Sequence, residues 1–181
     1  MMEDLSLHVL DIAENAVAAG AGRIVIGINE SEKRDLLTIR ITDDGRGMSA
    51  EERERALDPF FTTQRKKTGL GLALLAQTAG LCGGRVAVES APTRGTKVTL
   101  RLPYHHIDRP PLTKMAETMM TLVFGHPGID FRYCHRRNGQ EFRFNSRGYV
   151  PRAGGAAPAP PEAILSVRRA LRAGLNSIGA S

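Results

Sequence analysis

The sequence predicts an α+β fold, a two-layer sandwich with helices on one face of a mixed, mainly antiparallel sheet. Three observations lead to this class. Residues 4–19 repeat apolar side chains at helical intervals. Two pairs of short segments, one before residue 43 and one after residue 84, alternate in polarity as strands do. Two further helical segments separate these pairs, so the chain runs helix, strand pair, two helices, strand pair.

The first helix is predicted over residues 4–19. Its apolar side chains recur at intervals of four, three and four residues: Leu5, Val9, Ile12 and Ala16. A polar stripe beside that apolar face contains His8, Asp11 and Asn15. Two glycines at positions 20 and 22 end the helix, because glycine readily adopts the backbone conformation that follows a helix.

The remaining core elements follow from the same two periodicities. Strands are predicted at 23–29, 36–42, 85–90 and 97–102. A glycine-rich loop follows the second strand. Ser49 then suits the N-cap of a short helix, because Glu52 three residues later completes a capping box. Another helix is predicted over residues 69–81 and is entered through two glycines.

The chain changes character after Pro103 and is predicted to divide into four parts: 1–103, 104–150, 151–161 and 162–181. The second part is a small α+β extension, with a helix over 112–124 and a β-hairpin about Asn138-Gly139. The third part is a linker rich in alanine, glycine and proline. The last part is an amphipathic C-terminal helix.

Composition excludes several classes of protein. The absence of tryptophan and an aromatic content of 5% argue against base stacking. The net charge of +6 is spread along the sequence, so we expect a solvated basic surface and do not expect a nucleic-acid partner. No apolar run approaches the length of a membrane span, and no signal peptide is expected. Cys82 and Cys134 are predicted to be small core residues, and the protein is predicted to be cytoplasmic.

Two polar residues of the first helix suggest phosphate chemistry. Asn15 offers an amide oxygen, a hard ligand that suits Mg²⁺, which takes few protein ligands when phosphates and water supply the rest. Asp11 lies one turn earlier and could orient or deprotonate a hydroxyl near a γ-phosphate. The alternative is that both residues are the polar flank of a surface helix.

Two glycine-containing segments offer complementary groups. A carboxylate at Asp43 could accept from an adenine amino group while Gly45 and Gly47 let the ring approach the backbone, although a simple turn is the alternative. The segment Gly69-Leu70-Gly71 presents N–H groups at a helix start, which favours an anion, although a plain helix start is the alternative. Two residues just before it add a charge and a hydroxyl: Lys67 and Thr68.

In this order the segments resemble the ATP-binding domain of the GHKL superfamily (gyrase, Hsp90, histidine kinase, MutL), the Bergerat fold. DIAENAVAAGA resembles the N box, DDGRGM the G1 box, DPFFTT the F box and KTGLGLALL the G2 box, while RGTKVTLRLP resembles the closing strand pair of histidine kinases. The resemblance covers residues 5–103. After Tyr104 the chain is similar to short stand-alone ATP-binding proteins associated with gene clusters for iron-only hydrogenases.

The resemblance implies a role for each matching residue. It makes Asn15 the Mg²⁺ ligand and Asp43 the adenine-binding carboxylate, with glycines 45 and 47 shaping that pocket. It assigns the phosphates to residues 69–71 and places Thr96 near the adenine side. Asp11 stands where many members carry a glutamate base. Because aspartate is one methylene shorter, hydrolysis depends on whether its carboxylate reaches the attacking water.

The resemblance implies ATP and Mg²⁺ as ligands and leaves three functions open. The first is a regulatory protein kinase acting in trans on a serine or histidine of a partner protein. The second is a slow ATPase or ATP-driven conformational switch, and the third is a non-catalytic nucleotide-binding module. Four residues precede Leu5, so no phosphoacceptor hairpin is expected before the domain and a self-contained sensor kinase is not expected. A homodimer is compatible with all three functions.

Overall fold

Five helices and six strands alternate along the chain in a computed structural model that describes residues 4–56, 70–150 and 159–180. The helices are α1 (Leu5–Ala18), α2 (Ala50–Ala56), α3 (Leu70–Leu81), α4 (Met115–Gly125) and α5 (Pro161–Ser177). The strands are β1 (Arg23–Ser31), β2 (Leu36–Asp43), β3 (Arg85–Ser90), β4 (Thr96–Leu102), β5 (Asp130–Arg137) and β6 (Gln140–Asn145). Every predicted helix and strand of the described residues is therefore present.

The strands form one sheet in the order β3-β4-β2-β1-β5-β6. Neighbouring strands are antiparallel except β1 and β5, which are parallel, with Arg23 opposite Asp130 and Glu30 opposite Arg137. The predicted α+β class with a mixed, mainly antiparallel sheet is confirmed. The hairpin of the C-terminal extension continues this sheet through β1, while the domain boundary at residue 103 stays a prediction.

The core lies between the sheet and the helices, on one face of the sheet. Alternate residues of the central strands point into it, including Ile24, Ile26 and Ile28 of β1. The predicted apolar face of α1 is buried, and so are the four predicted core residues of α4: Met115, Met119, Leu122 and Val123. The other face of the sheet carries no core residue, because its side chains are mostly charged or small.

Two side chains lie elsewhere than predicted. His8 was expected in the polar stripe of α1, yet it is only 4% exposed, because α3 packs beside it and brings Thr78 Oγ1 to 3.5 Å from His8 Nε2. Cys134 was expected in the core, yet it lies half-buried on the outward face of β5, whereas Cys82 is fully buried. Successive side chains of a strand point to opposite faces of the sheet, and Tyr133 and His135 point inward, so Cys134 between them points outward.

A buried polar network joins β1 to β5. The Tyr133 hydroxyl lies 2.7 Å from His135 Nδ1, and His135 Nε2 lies 2.7 Å from Glu30 Oε1. All three side chains are at most 7% exposed. Burial, with the nearby Glu30 charge, raises the pKa of Tyr133 well above its ordinary value, so the phenol stays protonated and remains a donor.

The C-terminal helix α5 covers β6 and α4. Its buried residues Val167, Leu171 and Leu175 recur at spacings of four. The Phe142 ring of β6 occupies the space beside Gly174, where a Cβ would lie 2.0 Å from a ring carbon, so any larger residue there would require the ring to move. In the described ranges no helix is both long enough and apolar enough to cross a membrane.

Candidate functional site

The middle of α1 meets the start of α3. A Cβ built on Gly71 would lie 3.2 Å from the Asp11 Cβ and 3.7 Å from the Asn15 amide nitrogen. Asp11 is exposed and Asn15 half-buried, so both side chains remain accessible beside this contact. The structure thus brings together three of the predicted site residues from two separate motifs, with the N-terminal turn of α3 against the polar side of α1.

The glycine-rich loop after β2 is organised by Asp43. Its Oδ1 accepts from the Gly45 N–H at 2.8 Å and from the Thr96 N–H at 3.3 Å. Among the described residues, Oδ2 receives no hydrogen bond and is available as an acceptor. Three more of the predicted site residues, two from the start of the loop and one from β4, therefore meet at one carboxylate.

Burial raises the pKa of the Asp43 carboxyl, an effect that the N–H groups of Gly45 and Thr96 only partly offset. The charged carboxylate is thus incompletely compensated by its protein neighbours. A further N–H donor from a ligand would stabilise it, and an adenine amino group is such a donor.

The loop interlocks with the turn between β3 and β4 through two glycines with positive φ. Gly47 has φ +69°, and a Cβ there would lie 1.9 Å from the Ala91 carbonyl oxygen. Gly95 has φ +72°, and a Cβ there would lie 2.0 Å from the Asp43 carbonyl oxygen. Only glycine allows backbone contact this close, so the fold requires glycine at position 47, while its part in an adenine pocket stays a prediction. Gly95 is an equally strict requirement that the sequence motifs did not indicate.

Two polar residues that support this loop were also missed. Ser90 Oγ accepts from the Met48 N–H at 2.9 Å and donates to the Gly95 carbonyl at 2.8 Å, and it lies 2.9 Å from Thr96 Oγ1. Asp44 Oδ1 accepts from two N–H groups at the start of β1, those of Gly22 and Arg23, both at 2.8 Å. The adjacent carboxylates of the Asp-Asp-Gly motif thus face different partners, which the spacing alone does not reveal.

The end of α1 connects the two halves of the site. The Arg46 N–H donates to the Ala19 carbonyl at 2.9 Å, and a Cβ on Gly45 would lie 3.1 Å from the Ala19 Cβ. Ala19 lies one turn beyond Asn15 on the same helix. The loop that holds Asp43 is therefore fixed to the helix that holds Asp11 and Asn15.

The capping box predicted after the loop is present. The Ser49 N–H donates to Glu52 Oε2 at 2.8 Å, and the Glu52 N–H donates back to Ser49 Oγ at 3.1 Å. The predicted ligands Lys67, Thr68 and Gly69 lie outside the described residues. Leu70 is the first residue of α3.

The residues present fit a magnesium nucleotide. Asn15 supplies a neutral hard oxygen, Asp11 a carboxylate and α3 a helix N-terminus, all on one side of the site. Within the described residues, histidine, cysteine and acidic side chains form no cluster of three that could hold a metal by themselves.

Comparison with known proteins identifies the family of this part of the chain. Residues 3–106 match the family model described as histidine kinase-, DNA gyrase B-, and HSP90-like ATPase. That match covers more than half of the 181 residues and includes every described residue of the site.

Individual relatives match over the same part of the chain. Sensor histidine kinase ZraS of Escherichia coli O157:H7 is 35% identical over 99 residues, which are 55% of this chain and 22% of ZraS. Sporulation kinase D of Bacillus subtilis (strain 168) is 33% identical over 97 residues, which are 52% of this chain and 19% of that kinase. The crystal structure of full-length ShkA in complex with AMPPNP aligns with a TM-score of 0.45 and 26% identity, covering 53% of this chain and 20% of ShkA. The chain thus spans about a fifth of the length of the curated relatives it matches.

Proposed function

The chain belongs to the family of histidine kinase-, DNA gyrase B- and HSP90-like ATPases, and on that basis we propose that it binds Mg-ATP and phosphorylates a partner protein in trans. The observation that carries the proposal is the contact of Gly71 with Asp11 and Asn15. It supports the proposal because the start of α3, which we propose binds the phosphates, lies beside Asn15, the proposed metal ligand, and the carboxylate of Asp11. The relatives ZraS and sporulation kinase D are named as kinases, which favours phosphoryl transfer over a purely structural use of the nucleotide.

Each part of the nucleotide has a proposed partner. Asp43 accepts from the adenine amino group, and glycines 45 and 47 allow the ring to approach the loop backbone. The N–H groups at the start of α3 bind the phosphates, together with Lys67 and Thr68. Asn15 holds Mg²⁺, which when bound neutralises phosphate charge.

Asp11 is the proposed catalytic residue. With a serine acceptor, its carboxylate takes the hydroxyl proton as the serine oxygen forms a bond to the γ-phosphorus, and the bond from that phosphorus to the β–γ bridging oxygen breaks to release ADP. With a histidine acceptor, the neutral imidazole nitrogen attacks with its own lone pair, and Asp11 orients the ring. In both cases the phosphoryl group ends on the partner.

Asp11→Asn is expected to lower phosphoryl transfer at least about 100-fold while the Kd for Mg-ATP changes little, because the amide keeps the shape and loses the base. The measurements are transfer from γ-labelled ATP and isothermal titration. Glu14→Gln is the matched control, since it removes one carboxylate from the same helix at a position that faces His126, the residue after α4, instead. Equal transfer by wild type and Asp11→Asn would rule out the proposed role of Asp11.

Asn15→Ala tests the metal ligand. We expect the affinity gained by adding Mg²⁺ to ATP to fall by about 10-fold to 100-fold, because the protein loses its direct ligand to the ion. Titrations with and without EDTA measure this gain. Asn176→Ala on the exposed side of α5 is the control. An undiminished Mg²⁺ effect in Asn15→Ala contradicts the assignment.

The acceptor is identified by incubating the protein with γ-labelled ATP and a cell lysate. Label on a discrete protein band, lost with Asp11→Asn, is the expected result. Release of free phosphate with no labelled protein would contradict the kinase and favour the ATPase or conformational switch.

A further inference from the structure

The nucleotide site leaves the outer face of the sheet unused. We define this outer face by the outward-pointing residues of three cross-strand rows, which begin at Arg85, Ala87 and Glu89 of β3. The rows end at Glu141, Arg143 and Asn145 of β6. The buried residues of the same strands alternate with them and contact the helices on the opposite side. A ligand on the outer face would therefore be separated from the nucleotide by the whole sheet.

The outer face carries most of the net charge of the protein. Six arginines point from it: Arg40, Arg85, Arg101, Arg132, Arg136 and Arg143. Lys97 is a seventh cation, and the only acidic residues in the three rows are Glu89 and Glu141. The resulting surplus of five positive charges compares with +6 for the entire chain.

Part of this charge has no counterion among the described residues. Glu141 pairs with Arg136 and Arg143, Arg132 pairs with Asp130 at 3.0 Å, and Glu89 pairs with Lys97. Lys97, with the more distant Arg40, lowers the pKa of Glu89. The rest of the positive charge belongs to arginines without such a partner among the described residues.

Two arginines at the β3–β4 end of the outer face form its unpaired part. Arg85 and Arg101 stand directly opposite each other on β3 and β4, and neither forms a salt bridge with a described residue. Like charges opposed across two strands destabilise a sheet. Their placement there indicates a surface arranged for an anionic ligand.

The centre of the outer face is small and mostly uncharged. Gly27 lies at its middle, and a Cβ there would meet only the Arg40 carbonyl oxygen, at 3.9 Å. Val25 is 36% exposed beside it, and Thr42 and Cys134 are the next neighbours. An uncharged centre with arginines around it is the composition of a protein-binding surface.

The same composition disfavours other occupants. The three rows contain no aromatic side chain on which a base could stack, which disfavours single-stranded nucleic acid. Two copies of the chain would bring two positive faces together, which disfavours a face-to-face dimer.

We propose that the outer face docks an acidic protein segment, with its carboxylates on Arg40, Arg85 and Arg101 and its smaller side chains over Gly27. This inference concerns a surface apart from the nucleotide site and holds whether or not the chain transfers phosphate.

The test uses the full chain and a fluorescent 20-residue peptide in which short glutamate-rich stretches alternate with leucine. Binding of the peptide is measured by fluorescence anisotropy at physiological salt. Arg40→Glu/Arg101→Glu is expected to weaken peptide binding at least about 10-fold, because attraction becomes repulsion. Arg168→Glu/Arg169→Glu is the matched control: it makes the same charge change on exposed positions of α5 and should alter binding less than twofold. Mg-ATP affinity should be unchanged in both.

Gly27→Glu provides a second variant that leaves the described arginines in place, since its Cβ makes only an ordinary van der Waals contact, 3.9 Å from the Arg40 carbonyl oxygen. It should also weaken binding, and backbone amide shifts on adding the peptide to the wild type should concentrate in β1, β2 and β4. The proposal fails if the peptide does not bind or if both double variants weaken it equally. It also fails if a single-stranded oligonucleotide of equal charge binds the same strands more tightly, which would assign the face to nucleic acid.

Discussion

Asp43→Asn is expected to weaken ATP binding about 100-fold or more, one of the two largest effects anticipated here. The amide oxygen can still accept from the Gly45 N–H, so the loop keeps its shape. The amide nitrogen, however, would face the adenine amino group as a second donor, and loss of a charged acceptor with an unpaired donor left behind costs about 3 kcal/mol. Isothermal titration with ATP measures the change, and the preference for ATP over GTP should shrink in parallel.

Asp44→Asn is the control for that experiment. It removes the same charge from the next residue, whose Oδ1 binds Gly22 and Arg23 at the start of β1. Its ATP affinity should stay within about threefold of wild type, because an amide oxygen can accept the same two bonds. If Asp43→Asn and Asp44→Asn weaken binding alike, Asp43 has no specific role toward the base.

Gly95→Ala is expected to lower the free energy of unfolding by about 3 kcal/mol, the largest stability effect we anticipate. The new Cβ would lie 2.0 Å from the Asp43 carbonyl oxygen and 3.0 Å from the Asp44 Cα, so either the turn or the site loop must move. Urea unfolding measures the change. ATP affinity should fall as well, because the displaced backbone carries Asp43.

Gly83→Ala separates steric overlap from backbone strain. Gly83 has φ +64°, close to that of Gly95, but a Cβ there meets nothing within 4 Å. It should therefore cost only the strain of about 1 kcal/mol. Equal destabilisation by the two variants would show that the approach of Gly95 to Asp43 has no energetic importance.

The elements of the fold were predictable because their signals are local. The apolar intervals of α1, the alternation in β1 to β4 and the Ser49 capping box each depend on residues a few positions apart, and each is confirmed. The family was predictable too, because its motifs stand in order, and the match to residues 3–106 confirms it. The position of the C-terminal hairpin beside β1 was not, since no local pattern specifies which strand β5 will join.

The site was predictable only in part, for a related reason. Residue types at fixed spacing indicated Asp11, Asn15 and Asp43, and the family resemblance added Thr96. The structure brings the four into two connected groups. The roles of Ser90 and Gly95 depend on how closely one turn approaches another, which spacing cannot show. His8 looked polar in the helical pattern, but only the packing of α3 reveals that it is buried.

The parallel pairing of β1 with β5 has a consequence for biosynthesis. Asp130, which pairs with Arg23, is synthesised more than a hundred residues after it. In the growing chain, one edge of β1 is therefore unpaired until β5 has been made. An unpaired strand edge invites pairing with other chains, and an inward-pointing charge is a known deterrent. Glu30 is such a charge on the core side of β1. We expect Glu30 to disfavour such pairing until β5 has been made. In the completed sheet, Glu30 is hydrogen-bonded to His135 within the buried network.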